Sequence, residues 1–315
     1  MRKTPRRWPL RAFLGDRLLL TLATSAALLV LLLMAGIFVV LVWHSRLAFQ
    51  HLGLRFFVQQ IWNPVTGEFG ALPSLYGTLI TTLIALVLAV PLSLAIALLL
   101  SELAPPWLAT PVGLAVELLA AIPSIIYGMW GLYVFAPYMA HHVEPWLQRF
   151  LGFLPFFRGP MHGIGFLTAG IILALMILPF MSAVMREVFQ MVPAVVKEAG
   201  YGIGATTWEV THGVLLRYGI RGLLGAVFLG LGRALGETMA VTFVIGNEHR
   251  ISLSLFSAGT SITSTLANEF TEASEPVYLS ALIELGLLLF LVSLVIQIMA
   301  VLWLKRMERR MGGQP

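Results

Sequence analysis

Residues 197–247 read KEAGYGIGATTWEVTHGVLLRYGIRGLLGAVFLGLGRALGETMAVTFVIGN, and the two halves of this stretch differ in kind. The first half is polar, rich in glycine and punctuated by charge. The second half, residues 220–246, is an apolar run long enough to cross a bilayer, which takes about 20 residues, yet it holds Arg233 and Glu237 near its middle. A charge at the bilayer centre costs at least about 2.5–3.5 kcal/mol on insertion scales. Four residues apart on a continuous helix, the two side chains stand one turn above the other, so the sequence predicts that Arg233 pairs with Glu237 on one face. Lipid solvates even a pair poorly, which places the couple on an inner face lining a polar path. A structural ion pair that locks helices together is the other reading of the same two residues. Gly232 and Gly236 add a GxxxG spacing that lets helices approach closely. The glycines of GLGRALG are no nucleotide loop, because no strand precedes them and the spacing is not GxGxxG.

Composition agrees with a membrane reading. With 58% hydrophobic and 11% charged residues, the chain is expected to be an all-α integral membrane protein. It has no cysteine, which excludes disulfides, thiol nucleophiles and cysteine metal sites. Neither HExxH nor GxSxG occurs, so the sequence offers no enzyme constellation, and no GxxxxGK[ST] phosphate loop is present.

Six spans are predicted: residues 18–43, 76–100, 112–136, 164–185, 220–246 and 277–304, the third and sixth containing Glu117 and Glu284. The first run exceeds a signal-peptide core and is read as a retained anchor. Residues 1–17 form a basic tail, residues 44–75 a polar segment on the far side, and residues 305–315 a second basic tail. Of the 20 lysines and arginines, 14 fall in segments that an even number of spans places with the termini, and five in the opposite segments. Positive charge concentrates on the cytoplasmic side, so both termini are expected there. His141 and His142 beside Glu144 raise a metal site, but no recurring ligand spacing accompanies them.

The polar half of the central stretch then becomes a cytoplasmic loop. Val188, Val192, Val195 and Val196 form one apolar strip beside Lys197 and Glu198; glycines at 200, 202 and 204 interrupt the helix; Thr206 or Thr207 caps a second one near Trp208 and Glu209. Two short helices with a glycine break suit the groove of a soluble partner, although a plain connecting loop has the same composition.

The residues Glu198-Ala199-Gly200, three further residues, Gly204, nine more, then Val214-Leu215-Leu216 resemble the EAA loop of permease subunits in bacterial ABC importers. The segments ELLAAIPSIIYGMWG, YGIGATTWEV, LGLGRALGETMAVTFVIGN and NPVTGEFGALPSLYGTLITTLIAL are similar to phosphate-specific members of that family. The resemblance implies a type I importer permease fold of six transmembrane helices, with a transmembrane domain at 76–304 and a coupling loop at 186–221. It also implies a bacterial inner-membrane location, a PstA-like second permease subunit, a pair of ATPase subunits that bind ATP and Mg²⁺, and an external phosphate-binding protein. The chain itself would carry no cofactor and no catalysis, and would not bind nucleic acid. Glu198, Ala199, Gly200 and Gly204 would couple to the ATPase. Arg233 would meet the phosphate anion, Glu237 would hold Arg233 between passages, and Thr238 and Thr242 would donate hydroxyls. A permease for sulfate or molybdate is the nearest alternative, and an ion-coupled carrier a more distant one. Two residues depart from the family pattern: Gly200 replaces Ala, and Arg217 replaces Pro, with Gly219 expected to supply the lost helix stop.

Overall fold

The computed structural model describes residues 10–310, with side chains from 15 to 306. Arg2, Lys3, Arg6 and Arg7 of the basic tail, and residues 311–315, lie outside the described residues. Among the described residues the chain is helical, with isolated bridges in place of strands.

α1 (Leu10–His44) leads into two short helices, α2 (Arg46–Leu52) and α3 (Arg55–Val58). A turn follows, and α4 (Leu72–Leu98) widens into a π-helical turn at Leu99–Leu103. α5 (Pro106–Ala121) and α6 (Ser124–Trp130) come next, and α7 (Ala136–Tyr138) and α8 (Glu144–Leu151) continue from α6 through two more π turns. α9 (Phe166–Gln190) crosses back to two short helices, α10 (Ala194–Gly202) and α11 (Thr207–Val210). α12 (Leu216–Leu235), α13 (Met239–Val244), α14 (Ile262–Glu269) and α15 (Pro276–Arg310) complete the chain. Five helices are long and apolar enough to span a membrane, or six if α5 and the helices after it count as one bent span. The protein is a multi-pass helical membrane protein.

α9 is the axis. It is apolar along most of its length, and most of it is buried, with Ile172, Ile177 and Met181 fully so. α4 lies along it with a stripe of small residues, Ala85, Ala89, Ser93 and Ala97. Contact there is close: a Cβ on Gly170 of α9 would come within 2.5 Å of Ile84. Ser93 Oγ donates to the Leu178 carbonyl at 3.0 Å, a bond inside the apolar layer between α4 and α9. α12 crosses the same axis, whereas α1 packs along α15, with Phe38 and Phe290 centroids 5.7 Å apart.

Four expectations change here. The third span is not one straight helix over 112–136, because α5 ends at Ala121 and the path bends by 92°. Pro123 is the cause: it lacks an N–H and drives Ile122 out of the helical region, to ψ 127°. The Tyr127 hydroxyl donates to the Leu119 carbonyl at 2.9 Å, close to where the helix ends. Residues 137–151, expected as loop, are helical. The fifth span is also broken, since α12 stops at Leu235 and α13 begins at Met239. Gly219 stops nothing; α12 runs through it.

At one end of the bundle residues 45–71, 152–165 and 246–275 gather into a cap. Leu255 N–H donates to the Phe156 carbonyl, and the Tyr76 hydroxyl to the Ser252 carbonyl, at 2.9 and 2.7 Å. At its centre Glu269 accepts from Trp62 Nε1 and the Tyr278 hydroxyl and pairs with His249 at 2.8 Å, while the Trp62 and His249 rings stack.

Candidate translocation and docking sites

The Arg233 and Glu237 of the central stretch do not pair. Arg233 sits in the last turn of α12 with its side chain exposed, and it makes no ion pair or hydrogen bond among the described residues. Gly236 ends the helix as its C-cap, so Glu237 leaves the face on which a continuous helix would have set it above Arg233. The break is held open from outside the helix: Thr263 Oγ1 donates to the Glu237 carbonyl at 2.8 Å. A cation at a helix C-terminus is favoured by the carbonyls that point past the last turn. That placement stabilises Arg233 without neutralising it.

Thr238 and Thr242 flank the break, but their hydroxyls are engaged locally. Thr238 Oγ1 donates to the Gly236 carbonyl at 3.3 Å and Thr242 Oγ1 to the Thr238 carbonyl at 2.8 Å. Such backbone bonding is the common habit of Thr in membrane helices. Gly236, Thr238 and Met239 line a cleft of about 620 Å³ that also touches Thr263, Leu282 and Gly286. The break therefore opens onto space between α13, α14 and α15.

The predicted loop folds as two short helices, but with one glycine at the break where three were expected. Glu198, Ala199 and Gly200 lie on α10, with Glu198 and Ala199 exposed. The helix closes in a Schellman turn: Gly204, at φ +86°, donates from N–H to the Tyr201 carbonyl, and Ala205 N–H donates to the Gly200 carbonyl. Gly200 and Gly202 are helical, so the break belongs to Gly204 alone. Thr206 then caps α11 in a capping box with Glu209. The Thr206 backbone N–H and its hydroxyl both hydrogen-bond the Glu209 carboxylate, at 2.8 and 2.9 Å. Of the valine strip, Val188 and Val192 are buried while Val195 is 74% exposed, so the strip divides between core and surface. Ile203 and Trp208 are 87% and 74% exposed.

Sequence reasoning missed three groupings. The cap cluster around Glu269 joins residues as far apart as 62 and 278 and leaves no local signal. Lys197 and Glu102 form an ion pair at 2.5 Å across 95 positions. Glu144, noted only as a neighbour of His141, is buried and accepts from the Gly163 N–H at 3.1 Å. Glu284 is buried with neither carboxyl oxygen hydrogen-bonded among the described residues, and Glu117 is exposed. His142 stacks on Tyr138, and no group of three metal-ligating side chains exists among the described residues.

The model of the binding-protein-dependent transport system inner membrane component family matches residues 74–311. The chain belongs to that family. Within this transport family it is 50% identical over 307 residues to a protein of Mesorhizobium japonicum named phosphate transport system permease protein PstC, covering 96% of this chain and 94% of that one. A protein of the same name from Pasteurella multocida is 52% identical over 290 residues, covering 91% and 90%. The fold is that of ABC importer permeases. It matches, at 18% identity and a TM-score of 0.60 over 96% of both chains, a chain of a bacterial alginate ABC transporter solved in complex with its pentasaccharide-bound periplasmic protein.

Proposed function

We propose that the chain is one of two membrane subunits of an ATP-driven importer of inorganic phosphate. The observation that carries this reading is identity of about one half, along nearly the whole chain, to permeases named for phosphate transport. The unpaired arginine supports it. A guanidinium keeps its charge at any working pH and matches the geometry of an oxyanion, and Arg233 stands free beside an open helix break.

The partners follow from what the chain lacks and exposes. Without a phosphate loop of its own, it draws its energy from a pair of ATPase subunits that bind ATP and Mg²⁺. These subunits dock on Ile203, Trp208 and the exposed face of α10, since large apolar side chains clustered at a surface mark an interaction site. A PstA-like subunit completes the path, and a periplasmic phosphate-binding protein delivers to the cap end. Charge distribution supports cytoplasmic termini in a bacterial inner membrane. The chain is a conduit and coupler with no chemistry of its own.

The test is phosphate uptake into proteoliposomes holding the chain with its membrane partner and ATPase, binding protein outside, ATP inside and sulfate as competitor. Uptake that requires ATP and ignores sulfate is expected. Uptake without ATP, or equal uptake of sulfate, overturns the reading.

A further inference from the structure

α10 is poorly anchored. None of its residues is buried, and it packs on α11 and the π turn at Thr211–Leu215, which runs on into α12 with Leu215 fully buried. Its covalent ends are a bend before Pro193, whose ψ is 134°, and the left-handed Gly204. A helix joined through two such hinges transmits little force along its backbone. One side chain crosses to a different part of the bundle: Lys197 Nζ meets Glu102 Oε1 at 2.5 Å, with side chains only 20% and 12% exposed. An ion pair shielded to that degree is stronger than one held in open water.

Glu102 belongs to the π turn that ends α4, so the pair ties the docking helix to a 27-residue rod. At its other end α4 is fastened as well. Thr78 Oγ1 accepts from the Ile262 N–H at 2.9 Å, and Ser74 Oγ lies 3.1 Å from Thr265 Oγ1, joining α4 to α14. From α14, Thr263 holds the Glu237 carbonyl at the break beside Arg233. The contacts from Lys197 through Glu102, α4 and α14 to the break are continuous.

We propose that the ion pair of Lys197 with Glu102 is the strut that carries movement of the docking helix into α4 and onward to the helix break. Both are positioning residues. The inference rests on the ATP-driven importer reading. A strut must be present in both arms of the cycle, so losing it leaves docking and hydrolysis in place while separating them from transport.

The experiment measures phosphate moved per ATP hydrolysed in the reconstituted complex, for the wild type, Glu102→Gln, Lys197→Gln and the exchanged pair Glu102→Lys with Lys197→Glu. The single variants should keep binding-protein-stimulated hydrolysis while the ratio falls by about tenfold or more. The exchanged pair should restore most of it. A merely structural pair would lower the amount of assembled complex and leave the ratio unchanged. Ratios within about twofold of wild type in both single variants overturn the strut and leave the importer reading standing. A folded exchanged pair that restores nothing also overturns it. A wild-type complex that hydrolyses ATP without moving phosphate overturns the importer reading, and the strut falls with it.

Discussion

Gly204 should be the least replaceable residue of the docking elbow, for a reason of backbone and not of space. An added Cβ would meet no atom within 4 Å, so no clash penalises a side chain. The penalty comes from φ +86°, where the left-handed region costs an L-residue about 1–2 kcal/mol. That energy opposes closure of the Schellman turn between α10 and α11. It lowers the ratio of shaped to unshaped elbows by about 5- to 30-fold for Gly204→Ala, which is the upper bound on the loss of apparent docking affinity. Asn tolerates this region and should lose less, whereas a β-branched Val should lose more. Gly202 supplies the control. It is helical and equally open, so Gly202→Ala should stabilise α10 by about 0.5–1 kcal/mol. The assay is the concentration of ATPase subunit needed for half-maximal stimulated hydrolysis with reconstituted membrane subunits. An order of Gly, Asn, Ala, Val from best to worst is expected. Val equal to Asn, or harm from Gly202→Ala as great as from Gly204→Ala, refutes the backbone argument.

Three further outcomes follow from the geometry. Arg233→Gln should assemble normally, because the exposed guanidinium has no partner to lose among the described residues, yet abolish phosphate uptake; undiminished uptake removes Arg233 from the path. In the cap, burial pushes the Glu269 carboxyl up, but hydrogen bonds from His249, Tyr278 and Trp62 outweigh it and hold the group below its ordinary value. This stabilisation is complete above the unfolded pKa of about 4.3 and is lost as pH falls through the lower folded value. Hydrogen exchange of residues 45–71 should therefore accelerate in acid beyond its intrinsic change in wild type, but not in Glu269→Gln, and identical profiles would contradict the assignment. Finally, Glu284 is buried without a hydrogen bond, a site that suits a neutral group. Glu284→Gln should keep full uptake and assembly, while Glu284→Lys should fail to assemble. Lost uptake in an assembled Gln variant would make the charge functional.

Local features were legible in the sequence and distant ones were not. The capping box of Thr206 with Glu209 spans three residues, and the Gly204 turn is made by its neighbours, so both follow from residue order. Spans were legible because apolar length is a one-dimensional property. The break at residues 236–238 was hidden because the apolar run resumes beyond Glu237, and what holds the break open is Thr263, 26 positions on. The bend before α6 had a visible cause in Pro123, but prolines at 91 and 179 sit within continuous helices, so proline alone does not fix the outcome. The pairing of Lys197 with Glu102 and the gathering of Trp62, His249, Glu269 and Tyr278 depend on how helices stack.

The helix break also changes what Glu237 can be doing. Had it paired with Arg233, an arriving phosphate would have had to displace a carboxylate, and Glu237 would have limited how tightly the anion binds. With Gly236 turning the chain away, that restraint is absent and the guanidinium stands free. A free arginine facing an oxyanion risks holding it too well for transport. The compensating charge available is the end of α12 itself, whose last carbonyls lie beside Arg233 and carry a partial negative charge equivalent to roughly half an electron. A backbone field of this kind cannot swing away as a carboxylate can, so on the importer reading it would weaken anion binding to the same degree throughout the cycle. Release must then come from moving the helix end, and the residue that fixes that end is Thr263 on α14. Replacing Thr263 with Val keeps the shape and removes only the hydrogen bond to Glu237, so its effect should fall on the rate of phosphate release and spare ATPase docking.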